Sequence, residues 1–393
     1  MRGFVAPGFE SVEELVHRAQ EEDPEHSFQL AIYHHDELIV DLHAGEGMTP
    51  DSLMIPMSVS KNSLGFVVAL LLDRGELDLD APVSRYWPEF GVEGKAGILV
   101  RELLSHQAGL PEAQPPLTDD EYADLEAAAG RLVTQLPWWR PGATFGYHGL
   151  TIGVLGAELV RRVTGTTFHE VFEQEVRAPR GLDFYVGLPP ELEDRVLETQ
   201  PMRVPDGAAA PPPFERSPGQ VGREVFAGLS VQRSEEEALA RSRRSREIGN
   251  PAAFATVSAR GIAGLFAECT VGLTGPALVS EQALARVAQL QVAGTDAVIG
   301  IERRYGVVFQ KPSANLPFGS HRAFGHDGAG GGLGFHDPRT RISFGYSVRR
   351  TPFPGGADAR ALDVAYLVHA IVDGSSPSSG PGADTERRAA PPA

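Results

Sequence analysis

The chain has 393 residues, of which 42% are hydrophobic and 22% charged, a composition typical of a globular protein with a large core. Its net charge of −17 argues against nucleic acid or an anionic membrane surface as a partner, and its single cysteine, Cys269, excludes an internal disulfide and argues against a cysteine-based metal site. No apolar run reaches the ~18 residues of a transmembrane helix, and the N-terminus lacks the apolar core of a signal peptide, so we expect a cytoplasmic protein.

The first predicted elements are a helix and a hairpin. Residues 11–20 place apolar side chains at helical spacing, with Ser11 as the candidate N-cap. Two apolar runs, residues 28–33 and 37–42, flank a polar turn and predict two antiparallel strands.

The stretch that follows the hairpin contains a candidate nucleophile. Ser58 lies three residues before Lys61, and the apolar run 64–72 ends near Gly75, a pattern typical of a buried helix. Side chains three residues apart share a helix face, with about 5–6 Å between their Cβ atoms. Lys61 can therefore reach the Ser58 hydroxyl, and a desolvated lysine can help to remove the proton of a serine nucleophile.

Ser-x-x-Lys alone is a weak signal, because the same tetrapeptide occurs in helices that begin with a capping serine and expose a lysine. The lysine content favours a chemical role, since only Lys61, Lys95 and Lys311 among the 35 basic residues are lysine. Arginine stays protonated in proteins and cannot act as a base. A chain that otherwise uses arginine thus has a lysine where a base would be required.

The middle of the chain is mostly helical by its pattern. The predicted helices span residues 100–110, 119–135, 150–163, 166–176, 257–268 and 280–291. Residues 201–220 are rich in proline and predict a loop that is a candidate lid. The charged residues 233–247 predict a solvated helix face.

From Tyr305 onward the pattern changes to strands. They are predicted at residues 305–310, 323–326, 332–336 and 342–348, followed by an amphipathic helix at 357–373 and a disordered tail at 374–393. We interpret this order as an α/β fold of the α+β type and one domain overall, in which residues 1–80 and 300–373 form an α/β lobe and residues 81–299 an inserted, mainly helical lobe. A cleft between two lobes is a common small-molecule site.

Two further stretches extend the candidate site. Tyr147 lies in a glycine-flanked loop that enters a helix, and a phenol can act as acid or base if nearby cations lower its pKa. The glycine-rich stretch 324–335 allows close approach to the backbone, where an N–H could hold a carbonyl oxyanion together with the N–H of Ser58. The simpler alternatives are that Tyr147 only anchors its loop and that the stretch 324–335 is only a tight hairpin.

With these residues in view, the chain resembles the serine β-lactamase-like superfamily of penicillin-recognising proteins, and most closely the class C β-lactamase-related family that includes the family VIII carboxylesterases. The family's Ser-x-x-Lys, Tyr-x-Asn and Lys-Thr-Gly motifs are matched in order by Ser58–Lys61, Tyr147–Gly149 and, in the His-x-Gly form, His326–Gly328. Flanking stretches at 103–110, 141–142 and 258–261 also resemble the family, and the resemblance covers about residues 10–373.

The resemblance implies a β-lactamase/transpeptidase-like fold, with an antiparallel sheet flanked by helices and an inserted helical lobe, and neither a cofactor nor a metal. It implies Ser58 as the nucleophile, Lys61 and Tyr147 as general base and acid, and an oxyanion site between the N–H groups of Ser58 and Ala329. His326 and Gly328 would contribute to substrate binding, and His326 would orient Tyr147 or the substrate.

Two departures from the family pattern favour its esterase branch. Gly149 stands where the β-lactamases have asparagine, and His326 stands where they have lysine, so side chains that would hold a β-lactam are missing. We expect a carboxylesterase that acts on a small-molecule ester. The alternatives are an acyltransferase or peptide cyclase with the same acyl-enzyme, an amide or β-lactam hydrolase, and a catalytically silent scaffold.

A Ser-His-Asp arrangement is the rival within the enzyme interpretation. The chain offers candidate histidines at positions 106, 148, 321, 326 and 336. It contains no Gly-x-Ser-x-Gly elbow, which disfavours an α/β-hydrolase.

Overall fold

The computed structural model describes residues 1–205, 207 and 242–374. The strands are β1 Arg2–Val5, β2 Phe28–His34, β3 Glu37–Ala44, β4 Phe184–Tyr185, β5 Thr256–Val257, β6 Val292–Thr295, β7 Glu302–Tyr305, β8 Phe324–Asp327, β9 Leu333–Asp337 and β10 Ile342–Val348. The main sheet has the order β1-β3-β2-β10-β9-β8, and every neighbouring pair in it is antiparallel. The pairing of β2 with β10, for example Ile32 opposite Phe344, joins the two ends of the chain.

The helices within the described residues are numbered in the same chain order. They are α1 Glu10–Glu22, α2 Lys61–Asp73, α3 Val100–Leu103, α4 Asp119–Tyr122, α5 Leu125–Thr134, α6 Thr151–Thr164, α7 Phe168–Val171, α8 Arg243–Ile248, α9 Ala259–Thr270, α10 Glu281–Val287 and α11 Ala359–Val372. A 3-10 turn, Met57–Ser60, leads into α2, and a π-helical turn, Phe172–Arg177, follows α7. Within these residues, no helix combines the length and the apolar content that crossing a bilayer would need.

The two faces of the sheet differ in the size of their side chains. On β10, Ile342 and Phe344 belong to a core cluster that also contains Val12 of α1 and Val364 of α11. The opposite face of the same strand reads Ser343, Gly345, Ser347, because alternate residues of a strand point to opposite sides. These small residues allow α9 to lie directly on the backbone of the sheet.

Gly345 and its cross-strand partner Gly334 make this close approach possible. A Cβ atom on Gly345 would overlap the Ala259 carbonyl oxygen, and one on Gly334 would overlap the side chain of Ile262. Both contacts are on α9. The fold therefore depends on the absence of side chains at these two positions.

Helix α2 lies in the second large core. All residues from Lys61 to Leu72 are buried, in agreement with an apolar run that has no polar face. Phe66 packs edge-on against Phe266 of α9 and against Phe309. The residues that lead into α2 are thereby anchored to the centre of the molecule.

Several elements agree with the sequence patterns. The hairpin of β2 and β3, the strand β10 and the helices α2, α6, α9 and α11 lie at or within a few residues of the predicted positions. The predicted strand 305–310 is wrong, because β7 ends at Tyr305 and Val308 has a φ of 66°. The predicted helix 100–110 ends at Leu103, and His106 follows with a φ of 66°, which no α-helix accommodates.

Two boundaries at the N-terminus also differ. Helix α1 begins at Glu10, after the N-cap position Phe9, so Ser11 is not the cap. Strand β1 was not predicted from the sequence, because its four residues are largely exposed at the sheet edge and show no apolar alternation. The predicted loop 201–220, the charged segment 233–247 and the tail from 374 lie mostly outside the described residues.

The division into lobes at residues 81 and 299 stays a prediction. Helix α9 lies between those bounds in sequence, yet it packs against β2, β9 and β10. Long-range packing on small residues, rather than chain order, brings this helix to the sheet.

We predict that Gly345→Ala destabilises the protein by about 1–3 kcal/mol, the usual cost of overpacking a dense interior. Gly130→Ala is the matched control, because Gly130 lies in α5 with open space around its Cβ position. Alanine there should raise stability by about 0.5–1 kcal/mol. Thermal unfolding of both variants tests this, and equal midpoints would contradict the proposed contact of α9 with the sheet.

Candidate active site

Ser58 lies at the start of the buried α2 segment and is itself only partly buried. It is the second residue of the 3-10 turn Met57–Ser60. Met57 immediately before it has a φ of 52°, in the left-handed region that side chains other than glycine seldom adopt. Such a backbone costs about 1–3 kcal/mol and is often found at functional sites. The turn presents the Ser58 hydroxyl at the edge of the core.

The Lys61 side chain is fully buried and has three defined oxygen partners. Its Nζ lies 3.1 Å from Ser58 Oγ and donates to the carbonyl oxygens of Gly149 and Ala252, both at 2.8 Å. These carbonyls come from two segments distant in sequence. They fix the position of the nitrogen beside the serine.

Tyr147 approaches the same hydroxyl from the other side. Its phenol donates to Ser58 Oγ at 2.7 Å, and its ring centroid lies 4.9 Å from Lys61 Nζ. Burial raises the pKa of Tyr147, although the hydrogen bond to Ser58 opposes this shift. The condition named from the sequence, a pKa lowered by nearby cations, is not met, because desolvation outweighs the nearby positive charge. The phenol therefore holds its proton at neutral pH.

His148 supports the loop that carries Tyr147. Its Nδ1 lies 2.7 Å from the Gly146 carbonyl and its Nε2 accepts from the Leu110 N–H at 2.9 Å. Both ring nitrogens are thus used by backbone groups, and burial lowers the pKa of His148 to about 4. This histidine is not available to Ser58.

His106 is a second buried histidine in this support. Its Nδ1 accepts from the His148 N–H at 3.0 Å, so its proton lies on Nε2. The ring of His106 lies 5.2 Å from the ring of Tyr147 and 4.4 Å from that of Tyr305. Burial lowers the pKa of His106 well below its usual value. Neutral His106 packs behind the tyrosine and makes no hydrogen bond to the serine in the described part of the chain.

Asp296 was not singled out from the sequence, although its position next to Tyr147 is central. The side chain is fully buried, and its Oδ1 accepts from the N–H groups of Tyr147 at 3.0 Å, Val298 at 2.8 Å and Ile299 at 3.0 Å. Burial raises the pKa of Asp296, and these backbone donors lower it. An aspartate followed by apolar residues whose N–H groups it caps is a detectable turn signal. The contact to Tyr147 is not, because 149 residues separate the two positions.

His326 lies on β8 with its ring 6.1 Å from that of Tyr147. Its Nδ1 lies 2.6 Å from the Asp327 carbonyl, so the proton is on Nδ1 and Nε2 is an acceptor. The Nε2 atom is buried and has no partner among the described residues. Burial, reinforced by the charge of Lys61, lowers the pKa of His326. A neutral imidazole with one open acceptor therefore stands at the third motif.

The turn between β8 and β9 lies directly against the residues before Ser58. A Cβ atom on Gly328 would overlap the carbonyl oxygen of Pro56, so only glycine fits there. In the described part of the chain, neither the N–H of Ser58 nor that of Ala329 donates to a backbone carbonyl. Both remain able to donate to a ligand.

An apolar wall borders Tyr147. Val298 is buried, and the partly buried Trp138, Trp139 and Ile299 pack around it. No group of three or more His, Cys, Asp or Glu side chains within the described ranges is arranged to hold a metal ion. The site thus combines a serine, an amine, a phenol and a neutral imidazole beside apolar rings.

The remaining candidate histidines lie elsewhere. His336 Nδ1 lies 2.9 Å from Ser343 Oγ on the neighbouring strand, and His321 is exposed. The structure brings no histidine into hydrogen-bond distance of Ser58 among the described residues, which disfavours the Ser-His-Asp alternative.

Comparison with known proteins gives consistent similarities. A sequence profile described as Beta-lactamase matches residues 12–368. The structure of EstA from Arthrobacter nitroguajacolicus is 41% identical, with a TM-score of 0.86, and the match covers 95% of this chain and 99% of that one. A family VIII carboxylesterase structure is 28% identical, with a TM-score of 0.82 and coverage of 93% and 98%.

A curated relative is similar over most of its length. The esterase/beta-lactamase LipL of Mycobacterium tuberculosis is 28% identical over 341 residues, which is 80% of this chain and 75% of that protein. Together with the structural matches, this similarity confirms the predicted fold class, an antiparallel sheet flanked by helices.

We predict that Asp296→Ala slows the reaction of Ser58 with a fluorophosphonate probe by roughly tenfold or more, because a small displacement of a catalytic group has effects of this size. Asp296→Asn keeps an oxygen at the position of Oδ1 and should remain close to wild type. Labelling rates, with thermal unfolding as the control for folding, test this. An equal loss of labelling rate in Asp296→Ala and Asp296→Asn would contradict a positioning role for the Oδ1 oxygen.

We also predict that stability falls as the pH is lowered from about 6.5, the unfolded value for histidine, towards about 4, the value for folded His148. Between these pH values residue 148 binds a proton in the unfolded chain but not in the folded protein, where it is buried. Urea unfolding across this range should show a shallower pH dependence for His148→Gln, which cannot titrate. Parallel plots of unfolding free energy against pH for His148→Gln and wild type would refute the assignment of this pH dependence to His148.

Proposed function

Because this chain belongs to the beta-lactamase family, we propose that it is a serine hydrolase that cleaves carboxylic esters through an acyl-enzyme on Ser58. The observation that carries the proposal is the convergence of the Tyr147 phenol at 2.7 Å and the Lys61 amine at 3.1 Å on one partly exposed serine hydroxyl. The substrate is a small-molecule ester. Similar proteins with the names esterase, esterase/beta-lactamase and family VIII carboxylesterase support a hydrolase.

The partners of Lys61 support its role as the base. Two carbonyl oxygens and one hydroxyl surround the nitrogen. A neutral amine has two N–H bonds and one lone pair, so with both N–H bonds directed at the carbonyls the lone pair faces Ser58. In that form Lys61 accepts the serine proton as Oγ attacks the ester carbonyl carbon.

Tyr147 supplies the proton for the second half of acylation. Its raised pKa keeps the phenol protonated until the tetrahedral intermediate collapses. The bond to the leaving alcohol then breaks as the phenol protonates that oxygen, and protonated Lys61 returns a proton to the phenolate. Ser58 carries the acyl group, and water releases it by the same steps in reverse.

The N–H groups of Ser58 and Ala329 would hold the oxyanion. Both belong to segments in contact, since Gly328 lies against Pro56, and neither has a backbone acceptor among the described residues. Preorganised donors of this kind are worth about 10²–10³ in rate for each donor. The close packing of Gly328 on Pro56 keeps the two segments together.

His326 and Gly149 favour esters over β-lactams. Because the pKa of His326 is lowered, the third motif presents a neutral acceptor rather than a cation to the substrate. Its open Nε2 can accept from a hydroxyl or amide of the substrate. Gly149 contributes its carbonyl to Lys61 and no side chain. The apolar wall around Val298 then suits a hydrophobic acyl or alkyl group.

We predict that Ser58→Ala and Lys61→Ala reduce turnover of p-nitrophenyl butyrate by several orders of magnitude, since members of a catalytic unit act together. Tyr147→Phe should lose nearly as much, because the phenol is the acid for the leaving group. Intact-mass analysis of a stopped reaction should show a butyryl adduct on wild type and none on Ser58→Ala.

The matched control is Tyr33→Phe, which removes a phenol outside the Ser58 cluster and should leave turnover unchanged. Retained turnover or an adduct in Ser58→Ala would refute the assignment of the nucleophile. Added alcohols or amines that divert the butyryl group from water would instead indicate an acyltransferase.

A further inference from the structure

All three lysines of this arginine-rich chain are at least nine-tenths buried. Lys61 belongs to the candidate active site, and Lys95 donates to the carbonyl of Gln135 at 2.7 Å inside the helical region. Lys311 is 7% exposed and has no part in the proposed mechanism. Its Nζ makes one hydrogen bond within the described residues, to the Arg322 carbonyl at 3.1 Å. An ammonium has three N–H bonds, so the Lys311 nitrogen can donate further.

Lys311 lines a cavity of about 1140 Å³, large enough for a drug-sized ligand. The cavity is bounded by the end of α9, by α10 and by the segment from residue 311 to residue 322. Ser58, Lys61 and Tyr147 do not line it. We call this cavity the Lys311 pocket.

The charge of the Lys311 pocket is opposite to that of the protein. Its lining contains Lys311, Arg304, Arg322 and Arg341 but only one acid, Glu281, whereas the whole chain has a net charge of −17. Arg304 is paired with Glu302 at 3.0 Å, and Arg341 lies 4.0 Å from Glu281.

Two of these cations are therefore placed to receive a ligand. The Arg322 side chain forms no ion pair with any described residue, and Lys311 beside it retains unused donors. Within the described ranges, no side chain of the lining forms a hydrogen bond with the Lys311 amine, whose partner is a backbone carbonyl. A charge-assisted hydrogen bond to a carboxylate or phosphate is the strongest interaction that such groups offer.

Part of the wall is apolar. Leu284 of α10, Ala288 directly after it, Val271, Pro317 and Phe324 line the same space. A pocket that combines cations with apolar side chains fits a ligand with a charged head and a hydrocarbon body.

We propose that the Lys311 pocket binds an amphiphilic organic anion, with its carboxylate or phosphate head on Lys311 and Arg322 and its apolar body against Leu284 and Phe324. This is a second site, separate from Ser58, and it does not depend on the proposed hydrolase activity. Burial lowers the pKa of Lys311 to about 8, and the charge of Asp337 opposes this shift, so the amine is largely protonated at neutral pH.

The test is calorimetric titration of the full chain with octanoate and with octyl phosphate, using octanol and octylamine as uncharged and cationic probes. Lys311→Met and Arg322→Gln should each weaken binding of the anions at least tenfold, since each removes a charge-assisted hydrogen bond. Octanol and octylamine should bind far more weakly to wild type. Binding of octanoate and not octyl phosphate, or the reverse, identifies which head the pocket takes.

Two control variants keep the result specific. Arg2→Gln removes an exposed arginine from β1, outside the pocket, and Ser58→Ala alters the candidate active site; both should bind the anions like wild type. Arg322 is exposed, so Arg322→Gln decides the matter if Lys311→Met fails to fold. Absence of binding to wild type, equal binding of octanol, or unchanged affinity in the folded pocket variants would overturn the proposal. If octanoate bound at Ser58 instead, its affinity would be unchanged in Lys311→Met and Arg322→Gln.

A second readout uses the small number of lysines. Formaldehyde condenses with the amine, water leaves, and cyanoborohydride reduces the imine to a methylamine. Peptide mapping then reports Lys61, Lys95 and Lys311 separately. Octanoate should slow methylation of Lys311 and leave that of Lys95 unchanged, whereas equal rates with and without octanoate would count against the pocket.

Discussion

The buried nitrogen of Lys61 is the point on which the site depends. It joins three segments, since its partners are the Ser58 hydroxyl, the Gly149 carbonyl and the Ala252 carbonyl. A buried amine without such partners would cost several kcal/mol, of the order found for an unpaired buried polar group. The two carbonyls therefore bind the loop before α6 and the segment before α9 to the start of α2. The geometry that holds the folded segments together is the same geometry that directs the amine at the serine.

Support for Tyr147 comes from a set of groups that never touch Ser58. Asp296 binds the backbone N–H of Tyr147, while His148 and His106 bind the loop on either side of it. Burial keeps both histidines neutral, so they act as hydrogen-bonding elements of fixed tautomer. Ser58 thus lies beside an amine and a phenol that a polar frame holds in place, and no described histidine is within hydrogen-bond distance of its hydroxyl.

The lysine bias of the sequence has a broader meaning than a catalytic base. Lys95 and Lys311 are buried too, and each donates to a backbone carbonyl. In all three places a compact ammonium fits in the interior. The low lysine content is therefore weaker evidence that Lys61 acts as a base. The distances from Lys61 and Tyr147 to Ser58 support that role independently. It also directs attention to the Lys311 pocket, which no motif reveals.

Local spacing by itself determined helix α2, which begins at Lys61, the β2–β3 hairpin and strand β10, because helical and strand periodicities act over a few residues. The three ordered motifs also predicted that Ser58, Tyr147 and His326 belong to one site. The tertiary structure alone decided the charge states, since burial is the main cause of the raised pKa of Tyr147 and of the lowered pKa of His326. It alone placed Asp296 under Tyr147, α9 on the glycines of the sheet, and four cations around one cavity. These depend on contacts between residues far apart in the chain, and such contacts leave no period or spacing in the sequence from which they could be predicted.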